Sequence, residues 1–198
     1  MLNLTITDLY GRLSILRQTA EKLDCAVLAS KVLDDKNFRF WSGSHHKLAH
    51  HYGDGGLLNH TFEVVALSLN TAELYSDSHK IDRKQLFLSA LYHDYGKLWD
   101  FDRNEDGEWV PRDKHRRKIH HISRSNVEWV VWATAMGADV ELTDGVSHNI
   151  LSHHGSRECG SPVAPYTREA WILHLADSMS ARIDDCDRLD LVTINKNA

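Results

Sequence analysis

Ala90-Leu-Tyr-His93-Asp94-Tyr-Gly96-Lys97 closes an apolar helical run that begins near Arg83, and the rest of the chain is read outward from it. His93 and Asp94 are neighbours, so on a regular helix their side chains point about 100° apart. Two adjacent ionisable groups at the end of an apolar run are costly to bury unless partners meet them. They face one centre only at a helix end or where other helices close around them. Gly96 is read as a left-handed cap that supplies such an end. The partners lie elsewhere along the chain: His60, His121, the pair His153-His154, and Asp177. With His93 and Asp94 these make seven candidate metal ligands from at least five segments, which only a folded core can bring together. Each imidazole donates one nitrogen to one cation, whereas an aspartate can bridge two with its two oxygens.

Singly, each of these residues has a plainer reading. His60 suits a packed position on an amphipathic helix. His153-His154 before Gly155 suits a helix C-terminus, where the dipole favours a cation. Asp177, flanked by Leu173, Leu175, Ala176 and Met179, suits an ion pair with Arg182 or His174. Jointly, and in this order, they point to a binuclear metal site.

The bulk composition narrows the class. The chain has 198 residues, 42% hydrophobic and 26% charged, which is the size and balance of one globular domain rather than a disordered segment. Fourteen histidines form the one compositional excess, and imidazole favours borderline divalent metals. A net charge of −5 excludes a nucleic-acid field over the whole surface and leaves room for a local basic patch. Cys25, Cys159 and Cys186 show no close spacing, so neither a zinc ribbon nor a disulfide framework is expected. With no charged-then-apolar leader and no apolar run of bilayer length, a cytoplasmic, membrane-free protein is expected.

An all-α domain is expected over 1–198, with a helical lead at 1–37 and a catalytic core at 38–190. Thr7 is read as the cap of a first helix carrying Leu9, Leu13 and Leu16, and a second helix spans Ala26 to Leu33. Phe38 to Gly56, rich in Gly, Ser and His, reads as an ordered loop over a site. Helices are expected from Leu57 to Tyr75 and from Arg83 to Asp94, then near 120–136, 143–154 and 167–189. Between them, residues 98–112 suggest a hairpin of Trp99-Phe101 against Trp109-Val110, turning at Asp106-Gly107.

On these motifs the chain resembles the HD-domain metal-dependent phosphohydrolases, and within them the YhaM-type 3′→5′ exoribonucleases. His50-His51-Tyr-Gly-Asp-Gly-Gly56-Leu-Leu-Asn-His60 is similar to their entry to the first ligand. Ala90 to Lys97 carries the His-Asp signature. His121-Ile122-Ser123 and the run from Leu151-Ser-His153-His154-Gly155 to Leu173-His174-Leu-Ala-Asp177 are similar to their later ligand segments. The resemblance covers about residues 38 to 185. It implies one cation on His60, His93, Asp94 and Asp177, and a second on Asp94, His121, His153 and His154. His121 is preferred to His120 because Ile-Ser follows it. Manganese is the implied metal, with Fe, Co, Ni or Zn compatible with a sulfur-free, imidazole-rich site.

The implied reaction is hydrolysis of phosphodiester bonds at a nucleic-acid end. The chain would act as a 3′→5′ exonuclease on single-stranded RNA before DNA and release nucleoside 5′-monophosphates. A hydroxide between the cations would be the nucleophile. Two departures put processive RNA degradation in question: there is no room for the family's OB-fold, and Ser180 and Arg182 replace its usual Asp and Lys. The alternative is hydrolysis of a small nucleotide, a mono- or triphosphate or a cyclic (di)nucleotide. Asp94 and Lys97 are the central catalytic candidates, Lys97 either contacting phosphate or pairing with Asp94. His50 and His51 are candidates for leaving-group protonation or phosphate contact. Arg116 and Arg117, within the basic run Lys114 to Lys118, either touch a phosphate backbone or form a solvated face. Trp41, Trp99 and Trp109 either stack a base or pack the hairpin.

Overall fold

The computed structural model describes the backbone of residues 6–196 and the side chains of residues 8–186. Its helices are, in chain order, Ile6–Lys22 (α1), Ala26–Leu33 (α2), Lys36–Phe40 (α3), Gly56–Leu74 (α4) and Arg83–Tyr92 (α5). Lys97–Asp100 (α6) leads into the strands Phe101–Arg103 (β1) and Trp109–Pro111 (β2). Asp113–Lys118 (α7), His121–Ala135 (α8), Val140–Ser152 (α9) and Arg168–Lys196 (α10) complete the order. The fold is all-α with one small antiparallel hairpin.

The centre is α5. Its start is fixed by Asp82, whose carboxylate accepts from Gln85 N at 2.9 Å. Every residue from Leu86 to Tyr92 is buried. A helix enclosed on all sides belongs in the interior, and α4, α9, α10, α2 and α8 pack around it. One hydrophobic core results, running from Leu13 and Leu16 of α1 through Val64, Leu88 and Leu91 to Ile150 and Leu173. Where Tyr92 enters this core its hydroxyl still donates to Leu28 O at 2.7 Å, and its ring meets Trp129 edge-on. Truncating a side chain such as Leu88 to Ala here would cost about 2–5 kcal/mol. Among the described residues no helix is long and apolar enough to cross a membrane.

Several local expectations need correction. α1 is already helical at Ile6, so Thr7 lies inside it rather than before it, and the Thr7 side chain lies outside the described residues. The loop expected from Phe38 begins only at Trp41, because Asp35 caps α3 by accepting from Asn37 N. α9 starts earlier than 143, where Asp139 accepts from Leu142 N at 2.8 Å. The hairpin register is Phe101↔Pro111, Asp102↔Val110 and Arg103↔Trp109, and Trp99 belongs to α6 instead. The basic run lies on α7, a short helix that the sequence pattern did not mark and that has no buried residue. Gly96 has φ −61, an ordinary right-handed value. Glycine is needed there for another reason: a β-carbon would collide with His121 O at the start of α8. The close approach of that corner to α8 is what brings His93-Asp94 and His121 together.

Candidate metal centre

Five of the seven candidate ligands, His93, Asp94, His121, His153 and His154, are at or beside helix ends, where a side chain can leave the helical face and reach a common centre. His60 and Asp177 join them from within α4 and α10. His93 and His153 show the same local solution. Each is the residue that ends its helix, α5 or α9, and each donates Nδ1–H to the carbonyl three residues back. The distances are 2.8 Å to Ala90 O and 2.6 Å to Ile150 O. This fixes the tautomer and leaves Nε2 as a lone pair facing inward. His121 opens α8 and turns Nδ1 to Asp100 Oδ2 at 3.2 Å, so its Nε2 also faces inward. His60, fully buried in α4, sets Nδ1 3.0 Å from Ser180 Oγ and points Nε2 the same way.

Two groups form around Asp94. In the first, His60 Nε2 lies 3.0 Å from Asp177 Oδ1, 3.3 Å from Asp94 Oδ2 and 3.2 Å from His93 Nε2. In the second, Asp94 Oδ1 lies 3.5 Å from His121 Nε2 and 3.9 Å from His153 Nε2, with the His154 ring against both histidines. Ligand atoms about 2.0–2.2 Å from one cation stand about 3–3.5 Å apart. These spacings therefore suit a cation in each group. Asp94 Oδ1, His121 Nε2 and His153 Nε2 are all buried without any hydrogen-bond partner, though each could donate a lone pair to a cation. That convergence of orphaned acceptors is what a metal would satisfy.

The electrostatics agree. Burial would raise the Asp94 carboxyl, but Lys97 and His93 beside it hold it well below the usual range. Burial raises Asp177 as well, and the hydrogen bond from His60 more than reverses it. Burial pushes His121 down to about 4, against the pull of Asp100, and pushes His153 well below its ordinary value. Both rings are thus neutral, the form that binds metal.

Lys97 Nζ sits 2.6 Å from Asp94 Oδ2 and lines two cavities that open on either side of the cluster. The larger, about 320 Å³, is walled by His174, Asp177, Arg182 and Asp185. The smaller, about 180 Å³, is walled by His45, Phe101, Arg116, His120 and His121. His50 and His154 border both. Burial, with Lys97 and His60 close by, lowers His50 to about 2, so its ring is neutral. His51 lines neither cavity; its Nε2 is 3.0 Å from Glu63 Oε2. Arg116 reaches the smaller cavity with NH1 3.3 Å from His45 Nε2, whereas Arg117 is exposed and faces Asp113. His120 holds a left-handed φ of 67 and turns its ring into the smaller cavity, leaving His121 against Asp94.

The tryptophans pack rather than line the cavities. Trp41 and Trp109 lie with ring centroids 4.7 Å apart, and Trp41 Nε1 donates to Lys97 O. Trp99 packs on Tyr95 and under Arg124. Three residues were not anticipated as parts of the site. Asp100 accepts from the backbone and ring of His121 and from His115 Nδ1. Glu63 and Ser180 stand behind His60. Asp100 stands between Trp99 and Phe101, at the junction of elements too short for a period to mark it.

Residues 57–182 match the HD domain family. The chain is 33% identical over 139 residues to the 3′-5′ exoribonuclease YhaM of Shouchella clausii (strain KSM-K16), covering 70% of this chain and 42% of that protein. It is 32% identical over 139 residues to the 3′-5′ exoribonuclease YhaM of Bacillus subtilis (strain 168), with the same coverage. It is 29% identical over 138 residues to the dihydroneopterin 2′,3′-cyclic phosphate phosphodiesterase of Methanocaldococcus jannaschii, covering 69% of this chain and 50% of that one. The chain thus spans half or less of the length of these curated relatives. No solved structure matches.

Proposed function

The chain belongs to the HD-domain family, and on that premise we propose that it is a metal-dependent phosphodiesterase acting on nucleic-acid ends. It works as a 3′→5′ exonuclease, on RNA in preference to DNA, and releases nucleoside 5′-monophosphates. One observation carries the chemistry: Asp94 presents one oxygen to each of two inward-facing imidazole groups. His60, His93, Asp94 and Asp177 hold one divalent cation, and Asp94, His121, His153 and His154 hold the other. Manganese is the first assignment and iron the second. Bound there, the pair would activate water and neutralise charge on a phosphoryl group.

The chain's own residues supply the remaining functions. Lys97, at the wall shared by both cavities, sets a positive charge beside the phosphate. His50 offers a hydrogen bond from a neutral ring rather than a proton. Arg116 binds phosphate in the smaller cavity, and Lys114 and Lys118 on the same exposed helix continue the basic path for a strand. The free thiols of Cys25, Cys159 and Cys186 suit a reducing cytoplasm. The similarity to both YhaM exoribonucleases and the M. jannaschii phosphodiesterase supports a phosphodiester substrate.

The size of the smaller cavity and the M. jannaschii relative favour a second reading, hydrolysis of a small cyclic nucleotide. The test is incubation of the Mn-loaded protein with end-labelled oligoribonucleotide and, separately, with 2′,3′-cyclic and linear mononucleotides. Products are resolved by chromatography. A ladder with 5′-monophosphates supports the exonuclease. Turnover of a mononucleotide with an intact oligomer replaces it with the second reading.

A further inference from the structure

We propose that Glu63 and Ser180 form a hydroxyl-linked relay that positions His60 for cation binding, with Glu63 as the carboxylate that sets the His60 tautomer. The proposal rests on the metal assignment above.

The hydrogen count makes the relay directional. Ser180, buried on α10, has one O–H and donates it to Glu63 Oε2 at 2.8 Å. An ionised carboxylate only accepts, so the hydroxyl hydrogen is committed to Glu63. The 3.0 Å contact between Ser180 Oγ and His60 Nδ1 must then be a bond donated by His60. That keeps a proton on Nδ1, so the proton given up when a cation binds is the one on Nε2, which then ligates facing Asp94, His93 and Asp177. A serine alone would not decide this, because its hydroxyl can equally donate to Nδ1 and reverse the tautomer. Glu63 makes the decision.

The other inward-facing rings take their orientation from simpler partners. His93 and His153 use backbone carbonyls, and His121 uses Asp100 directly. His60 lies within α4, so Ser180 and Glu63 do this work for it. Glu63 is itself well held. Its Oε2 also accepts from His51 Nε2 at 3.0 Å, its Oε1 accepts from Asn59 Nδ2 at 3.0 Å, and Arg12 NH1 approaches to 3.9 Å. His51 in turn holds a left-handed φ of 53 and donates its N–H to Asp184 Oδ2 at 2.6 Å. This gives the buried His51 a purpose the cavities do not: it steadies the carboxylate at the head of the relay.

The test measures Mn²⁺ affinity by calorimetry on the metal-stripped full chain, with circular dichroism to verify folding. Removing a partner behind a ligating histidine typically weakens affinity about 10–100-fold. Ser180→Ala is expected to weaken one of the two binding events by that factor. Glu63→Gln, at a partly open position, is expected to weaken the same event about tenfold. The double variant should bind no worse than Ser180→Ala, because Glu63 acts only through the hydroxyl. Ser180→Asp combined with Glu63→Gln puts a carboxylate directly on Nδ1 and should recover affinity to within about threefold of the parent. Additive losses in the double variant, unchanged affinity in both single variants, or no recovery with the aspartate would each overturn the relay. A parent protein that binds less than one Mn²⁺ would instead overturn the metal assignment on which the relay rests.

Discussion

Around His60, His93 and Asp177 the inward-facing atoms have polar neighbours, whereas across Asp94 the facing atoms of His121 and His153 have no hydrogen-bond partner. The first group can satisfy itself without metal. Burial works against a proton on His60, but hydrogen bonds to Asp177 and Asp94 outweigh it and raise the ring to about 9. His60 is thus a cation held between two carboxylates. The second group has no such cation, because burial keeps its rings neutral and Asp94 Oδ1 faces only lone pairs. One half is a closed ionic cluster that metal must enter by displacing a proton. The other is a set of converging lone pairs that a cation would satisfy.

The largest effect should come from the residue both halves share. Asp94→Ala is expected to lower kcat by at least about 10³-fold and to remove bound Mn, with the helical circular dichroism spectrum retained. A variant with metal content and turnover near those of the parent would show that the halves do not meet at Asp94.

The same substitution at one position in each half separates them next. Without metal, His60→Phe takes the charged partner from Asp177, while Asp94 keeps Lys97, a loss of about 3–5 kcal/mol. His153→Phe forfeits one bond to Ile150 O, about 1 kcal/mol, and removes an orphaned nitrogen at the same time. The change in side-chain volume is common to both. Urea unfolding of the stripped variants should therefore place His60→Phe about 2–4 kcal/mol below His153→Phe. Equal losses would mean that the first group is no better satisfied than the second.

Metal removal should show a smaller effect on the parent. Mn²⁺ at about 100 times its dissociation constant adds about 2.7 kcal/mol per site. For a chain of this size that raises the melting temperature over the chelated protein by about 5–10 °C for each site filled. His153→Phe should keep part of that shift and Asp94→Ala none. A full shift in Asp94→Ala would place the binding site elsewhere.

The candidate cluster stood out in the sequence where an ionisable residue sits among apolar neighbours at helical spacing, a costly arrangement unless something pairs it. Leu88-Ser-Ala-Leu-Tyr before His93-Asp94 and Leu173-His-Leu-Ala before Asp177 both announce this. The helices around them carry enough buried positions for periodicity to show. α7 was not legible because no residue in it is buried, so its sequence has no apolar stripe to betray the helix. Asp100 was hidden among elements of three and four residues, too short for any period. Gly96 was misread for a different reason. Its constraint is the approach of His121 O from another helix, which no local pattern encodes. Glu63 and Ser180 likewise meet across α4 and α10, and neither looks unusual beside its own sequence neighbours.

α7 also provides the smallest predicted difference, between two adjacent arginines that the sequence could not rank. Arg116 enters the smaller cavity beside His45 and His120, on the side of the cluster where His121 Nε2 lacks a hydrogen-bond partner. Arg117 is 82% exposed at the side chain and its guanidinium lies 3.8 Å from Asp113 on the same helix. An exposed pair of that kind contributes little, whereas a guanidinium aimed into a confined cavity can hold a phosphate bidentately. Arg116→Ala should lower kcat/KM on an oligoribonucleotide about tenfold, and Arg117→Ala less than about twofold. Raising the ionic strength should shrink the Arg116 difference, since screening weakens the phosphate contact it removes. Equal effects of the two substitutions would return the whole run to an ordinary solvated face. They would also remove the smaller cavity from the path of the substrate.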